Sequence, residues 1–205
     1  LDAESDPFSL QNITRIWSSF HFLPYDLHAA RKHRTRIYMN KYRLICKPNG
    51  ELVKSTVDLA KGSTLQAAGI AMHVLADTWA HSGFAGTPSL VINNTDGNIY
   101  EKVTNEFLIV TERQIKLHSN PAMSDDVDTG NYVNSLFQDS EISIMNLGHG
   151  RIGHLPDYSF AVYSYMPAWG DYEIINKDNP TEYYMAFCQM VQALKVIRQS
   201  QPVMY

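Results

Sequence analysis

Residues 69–86 read GIAMHVLADTWAHSGFAG. Met72, Val74, Leu75 and Trp79 make the stretch apolar, while Gly69, Ala71, Ala76, Ala80 and Gly83 leave room for close helix approach. The pattern predicts a buried helix from about residue 64 to 82, with Ser63 or Thr64 as N-cap and Gly83 and Gly86 as its stop. That helix also carries His73, Asp77 and His81, each four residues after the last. Positions i, i+4 and i+8 drift only about 80° around a helix axis, so the three share one face. They do not share one point. His73 and His81 stand roughly 12 Å apart along the axis, too far for one zinc at about 2 Å from each. Adjacent members pair, and Asp77 has two oxygens with which to bridge two ions. An unpaired carboxylate on an apolar helix costs several kcal/mol, so Asp77 needs a metal or hydrogen-bonding partners.

A second cluster lies in LGHGRIGHLPD, residues 147–157, with His149, His154 and Asp157. Gly148, Gly150 and Gly153 allow backbone conformations that other residues resist, so a tight loop can turn several side chains inward. This loop is expected to supply partners to the helix stripe. Arg151, between the two histidines, would neutralise charge developing on a substrate; a solvent-facing loop arginine is the plain alternative. His21, in SSFHFLP, reads as a core histidine, and His28, His33 and His118 as exposed ones.

The rest of the chain reads as mainly α, a single-domain helical bundle over residues 1–205 with a minor β-hairpin. Pro24 opens a helical run with a basic outer face. Residues 36–47 and ELVKSTVDL, separated by the Lys47-Pro48-Asn49-Gly50 turn, form the hairpin. Residues 87–98 are loop-like. Ile99, Val103, Phe107, Val110, Gln114 and Leu117 follow a 3.6 period and predict a long helix over 99–118. A polar acidic loop fills 119–130, and a further helix covers about 131–147. Residues 148–180 are irregular, and long irregular segments are more often functional than idle. The aromatics Tyr158, Phe160, Tyr163, Tyr165 and Trp169 there favour core packing over a pocket wall. The last helix spans about 180–199, capped by Asp178 or Asn179, with Tyr184, Phe187, Cys188, Val191 and Leu194 as its apolar stripe.

With 205 residues, 44% hydrophobic and 19% charged, the composition is that of an ordered globular chain. The net charge of -4 gives no support for wholesale nucleic-acid binding. The basic cluster Arg31, Lys32, Arg34, Arg36, Lys41 and Arg43 reads as a solvated face, since phosphate binding needs a more extended basic surface. Two distant cysteines exclude a disulfide framework. No apolar run is long enough for a transmembrane segment, and the acidic start is no signal peptide, so a cytoplasmic location is expected, with secretion as the alternative for a processed N-terminus.

FHFLP, HVLADTWAHSGFAG and GHGRIGHLPDYSFAVYSYMP together resemble an uncharacterised bacterial family carrying a domain-of-unknown-function label, over about residues 15–199. Members often begin with a further histidine and a pair of aspartates, which implies that an upstream N-terminal segment is lacking here. His73-x-x-x-Asp77 is also distantly similar to the His-x-x-x-Asp helix motif of the zinc-dependent phospholipase C and S1/P1 nuclease group. That likeness implies metal-ligand roles for His73 and Asp77 and phosphoester cleavage. His81 departs from that pattern, as does the absence of an N-terminal tryptophan.

The expectation is therefore a metal-dependent hydrolase acting on a small-molecule or lipid phosphoester. His73, Asp77, His81, His149, His154 and Asp157 would ligate a divalent metal, zinc first, with iron or manganese tolerated. Asp77 and Arg151 would be its catalytic residues. The rival is a non-catalytic helical module in which the same residues form a buried hydrogen-bond network or hold one structural metal.

Overall fold

A computed structural model describes residues 7–25, 43–135 and 146–199. Its α-helices are α1 (Pro7–Phe20), α2 (Glu51–Leu59), α3 (Leu65–Ala80), α4 (Leu90–Asn93) and α5 (Asn179–Gln199). Its strands are β1 (Tyr100–Thr104), β2 (Val110–Gln114), β3 (Lys116–His118), β4 (Asn131–Val133), β5 (Val162–Tyr165) and β6 (Ile175–Asp178). The chain divides into two compact units: Gln11–Gly86 with Thr181–Tyr205, and Leu1–Leu10 with Thr87–Pro180.

The first unit is helical and is built around α3. Thr64 takes an extended conformation and its Oγ1 accepts the Ala67 N–H at 3.2 Å, satisfying a donor the first turn leaves open. Ala68, Ala71, Val74, Leu75 and Thr78 form the buried face of α3. Leu75 packs with Val53 of α2 and Ala193 of α5, and Ala68 and Ala71 pack with Ala60 and Ile197. Small side chains at most of these contacts let the helices approach closely, and the larger Leu75 and Ile197 fill the remaining space. Beyond α3 the chain turns at Gly83, and Gly83 N–H and Phe84 C=O pair with Cys46. Gly86 then meets Ser18, whose hydroxyl donates to its carbonyl at 2.9 Å. A Cβ on Gly86 would lie 2.7 Å from the Ser18 backbone, so only glycine fits.

The second unit is mostly sheet. An antiparallel four-stranded sheet has the order β2-β1-β5-β6, and β3 pairs with β4 in parallel. In the β1–β2 register Glu101 stands opposite Arg113. Glu101 is buried, but Arg113 donates to its Oε1 from Nε at 2.9 Å and from Nη2 at 2.6 Å, and the Tyr132 hydroxyl donates to Oε2 at 3.0 Å. A buried carboxylate with that many donors is tolerable.

The fold is thus mixed α/β, and the expected mainly helical bundle is corrected. The helix predicted over 99–118 is instead β1, β2 and β3. Asn105 Oδ1 accepts the N–H groups of Phe107 and Ile109 and folds the chain back into a hairpin. Phe107, Leu108, Ile109 and Val110 are exposed at or beside its tip, so their helical spacing marks no core. ELVKSTVDL, predicted as a strand, is α2; the Ser55 and Thr56 hydroxyls bond back to the carbonyls four residues earlier. The expected helix over 131–147 begins as β4, and its residues 136–145 lie outside those described. Residues 148–180 contain β5 and β6. On α5 the buried positions are Ala186, Ala193 and Ile197, while Tyr184, Phe187 and Leu194 are exposed. The side-chain amide of Asn179 is spent on the carbonyls of Leu155 and Tyr158, where it pins the loop rather than capping the helix. The run opened by Pro24, most of the basic cluster, His28 and His33 lie outside the described residues. Cys46 and Cys188 are not joined by a disulfide, and no described helix is long and apolar enough to cross a membrane.

Leu75→Ala truncates a fully buried side chain in the α2–α3–α5 contact. It should cost about 3 kcal/mol of unfolding free energy, measured by urea denaturation. A loss below about 1 kcal/mol would place the anchor of α3 elsewhere.

Candidate metal centre

The α3 stripe runs from solvent into the interior. Side-chain exposure falls from 49% at His73 to 16% at Asp77 and 9% at His81. One carboxylate oxygen gathers the stripe: Asp77 Oδ2 lies 3.4 Å from His73 Nε2 and 3.7 Å from His81 Nδ1. Its nearest partner comes from another element. His21, in the turn after α1, places Nδ1 2.9 Å from the same oxygen, with its side chain 35% exposed. The expected core histidine is therefore a member of the site.

His81 has a different task. Its Nδ1–H donates to the backbone carbonyl of His21 at 2.7 Å, and its ring stacks on Phe22 with centroids 4.7 Å apart. The end of α3 is thereby tied to the end of α1, and His21 is held against Asp77. Trp17 lies 5.1 Å from the His21 ring, and the His73 ring meets it edge-on at 4.9 Å.

Ligand atoms of His21, His73 and Asp77 all lie within 4.8 Å of one another. A tetrahedral zinc with bonds of about 2.0–2.1 Å to such ligands needs them roughly 3.3–3.5 Å apart. The observed 2.9 and 3.4 Å to Asp77 already approach that spacing. Along α3, the i,i+4 spacing brings His73 Nε2 within 3.4 Å of Asp77 Oδ2. The third partner is His21, which the sequence pattern alone left aside.

In the sheet-containing unit the glycine loop does turn side chains together, through 3-10 turns at Gly150–Ile152 and Leu155–Asp157. Gly153 has φ +58°, and a Cβ there would collide with the Val133 carbonyl. His149 Nδ1–H donates to the Gly153 carbonyl at 2.7 Å, and its Nε2 lies 3.6 Å from Asp157 Oδ1. Arg151 is buried, not solvent-facing; its Nε donates to Asn146 Oδ1 at 2.9 Å. His154 turns to a residue outside the motif: its Nδ1 lies 3.1 Å from Asp125 Oδ2. The Tyr158 hydroxyl donates to the same oxygen at 2.6 Å, and the Val133 N–H donates to Oδ1 at 2.7 Å. Burial raises the Asp125 pKa, but the hydrogen bonds from Tyr158, Val133 and His154 outweigh it, and the net shift is downward. Burial and the Asp125 carboxylate together push the Tyr158 hydroxyl up to about 12. Tyr163 and Tyr165 are core residues, as expected, whereas Phe160 is exposed. His118 is half-buried rather than exposed, and both its ring nitrogens are shielded.

Sequence reasoning missed His21 and Asp125. The signal for His21 was its place in FHFLP at a helix end. Asp125 sits in an acidic loop whose local sequence does not separate it from Asp126 and Asp128.

A carboxylate whose folded pKa is depressed stabilises the protein above its unfolded value of about 3.9 and loses that stabilisation as pH falls through the folded value. The unfolding free energy should therefore fall below about pH 4, and Asp125→Asn should make that fall shallower, as measured by urea unfolding across pH. Equal slopes in the two proteins would remove Asp125 as a source of the acid sensitivity.

No curated protein and no solved structure matches the chain, so the distant likeness to the phospholipase C and S1/P1 nuclease group is not supported. The model of a family of unknown function, DUF6765, matches residues 2–204. Covered over almost its whole length, the chain belongs to that family.

Proposed function

We propose that this chain is a metal-dependent hydrolase whose divalent ion, zinc first, is held by His21 Nδ1, His73 Nε2 and Asp77 Oδ2. The observation that carries this reading is that His21, His73 and Asp77 each offer a ligand atom within 4.8 Å of the others, with both histidines partly exposed. Structural zinc sites are closed with four protein ligands, whereas three ligands with an open position are the pattern of catalytic sites. The ion would displace the proton that His21 now shares with Asp77. It would supply a bound water of pKa near ~7 and polarise a substrate oxygen. Two neutral imidazoles and one carboxylate leave a divalent ion with a net positive charge, which favours an anionic substrate. A phosphoester is the class that fits this charge and the hydrolytic chemistry. His81 is a positioning residue here, acting through the His21 carbonyl.

One observation favours the rival, a hydrogen-bond network without metal: His21 and Asp77 form a good hydrogen bond as they stand. Elemental analysis of protein purified without added metal separates the two. The metal reading predicts about one equivalent of zinc, iron or manganese. His21→Ala and His73→Ala should each lower that content, and each should reduce hydrolysis of bis(4-nitrophenyl) phosphate at least about tenfold. Folded protein that contains no metal and takes none up on reloading would leave the network as the reading.

A further inference from the structure

Asp125 and His154 form an arrangement with chemistry of its own, on residues separate from the proposed metal ligands. The Asp125 side chain is 5% exposed and its two oxygens receive three donors, from Val133, Tyr158 and His154. An ionised carboxylate only accepts hydrogen bonds, so His154 must carry a proton on Nδ1. The neutral ring then presents Nε2 as its base. The His154 side chain is 57% exposed, and Tyr158 flanks it with ring centroids 6.4 Å apart. One end of the imidazole is fixed by a buried carboxylate, and the ring is otherwise open to solvent. In that arrangement the carboxylate sets the tautomer and stabilises the imidazolium that forms when Nε2 takes a proton.

The surroundings narrow the substrate. Phe160 stacks on Tyr158 at 5.4 Å and 21°. Phe160 also lines, with Val127, Ala161, Val162 and Pro180, a cavity of about 560 Å³ whose wall includes the charged Glu101, Lys102, Arg113 and Asp128. An aromatic or aliphatic body has a surface to rest on there. In that lining Glu101 and Asp128 balance Lys102 and Arg113, so no excess positive charge favours an anionic substrate.

We propose that His154 is the general base of an ester-cleaving centre, oriented by Asp125, for uncharged carboxylic esters with an apolar body. His154 Nε2 takes a proton from water as the water oxygen bonds to the ester carbonyl carbon. The bond from that carbon to the alcohol oxygen then breaks, and the alcohol oxygen takes the proton from Nε2. The products are an acid and an alcohol, and the histidine returns to its neutral form. Asp125 is a positioning residue.

The test uses the full chain stripped of metal with a chelator, so that it is independent of the His21–His73–Asp77 reading, which stands or falls on metal content. The probe is 4-nitrophenyl butyrate. His154→Gln, at a side chain 57% exposed, should lose about a hundredfold or more of the rate above background. In ¹⁵N-labelled protein the neutral His154 ring should be the Nδ1–H tautomer, and Asp125→Asn should mix the two tautomers while lowering the rate. Hydrolysis by His154→Gln at the wild-type rate, or a neutral His154 in the Nε2–H tautomer, would overturn the proposal.

Discussion

The proposed metal site of the helical unit depends on the carboxylate of Asp77. It lies on a helix chosen for apolar packing and is only 16% exposed. Left alone there it would cost several kcal/mol. Three imidazoles surround it, and only His21 gives it a hydrogen bond. His73 reaches it along the helix, His21 reaches it from the neighbouring turn, and His81 lies close while using its Nδ1–H to hold the His21 backbone. The packing that buries Ala68, Ala71 and Leu75 fixes the opposite edge of α3, and so fixes where Asp77 stands. Fold and site are two faces of the same helix.

The sheet-containing unit applies the same physics to another end. Asp125 is a carboxylate more deeply buried than Asp77, and it too is satisfied by donors gathered from distant parts of the sequence. There the donors are a strand N–H, a tyrosine hydroxyl and a histidine. The difference lies in what surrounds each carboxylate. Asp77 has two partly exposed imidazoles whose nitrogens converge, which suits an ion. Asp125 has one such imidazole and a tyrosine hydroxyl held near pKa 12, which suits proton transfer with the histidine alone.

The sequence made α3 legible because several local signals agreed: Thr64 as cap, small and apolar residues through the interior, and Gly83 after the end. Its stripe of His73, Asp77 and His81 followed from helix geometry alone. The 99–118 region was misread because Ile99, Val103, Phe107 and Val110 happen to match a helical period. The deciding residue was Asn105, whose side chain nucleates a turn, and β-branched residues on both sides then pair as strands. In β5 the alternation of Tyr163 and Tyr165 was a period-2 signal inside a stretch read as irregular. α5 offered two apolar faces, and the one bearing Ala186, Ala193 and Ile197 is buried, where small side chains allow close packing. His21 and Asp125 were the hardest to see, because each reaches its partner across a long loop closure that no local spacing encodes.

The central claim is that Asp77, His21 and His73 share an ion. Anomalous diffraction at the zinc absorption edge, from crystals grown with zinc, tests it most directly. The claim predicts a peak about 2 Å from His21 Nδ1, His73 Nε2 and Asp77 Oδ2 together. A map with no peak there, and with His21 still hydrogen-bonded to Asp77, would contradict it.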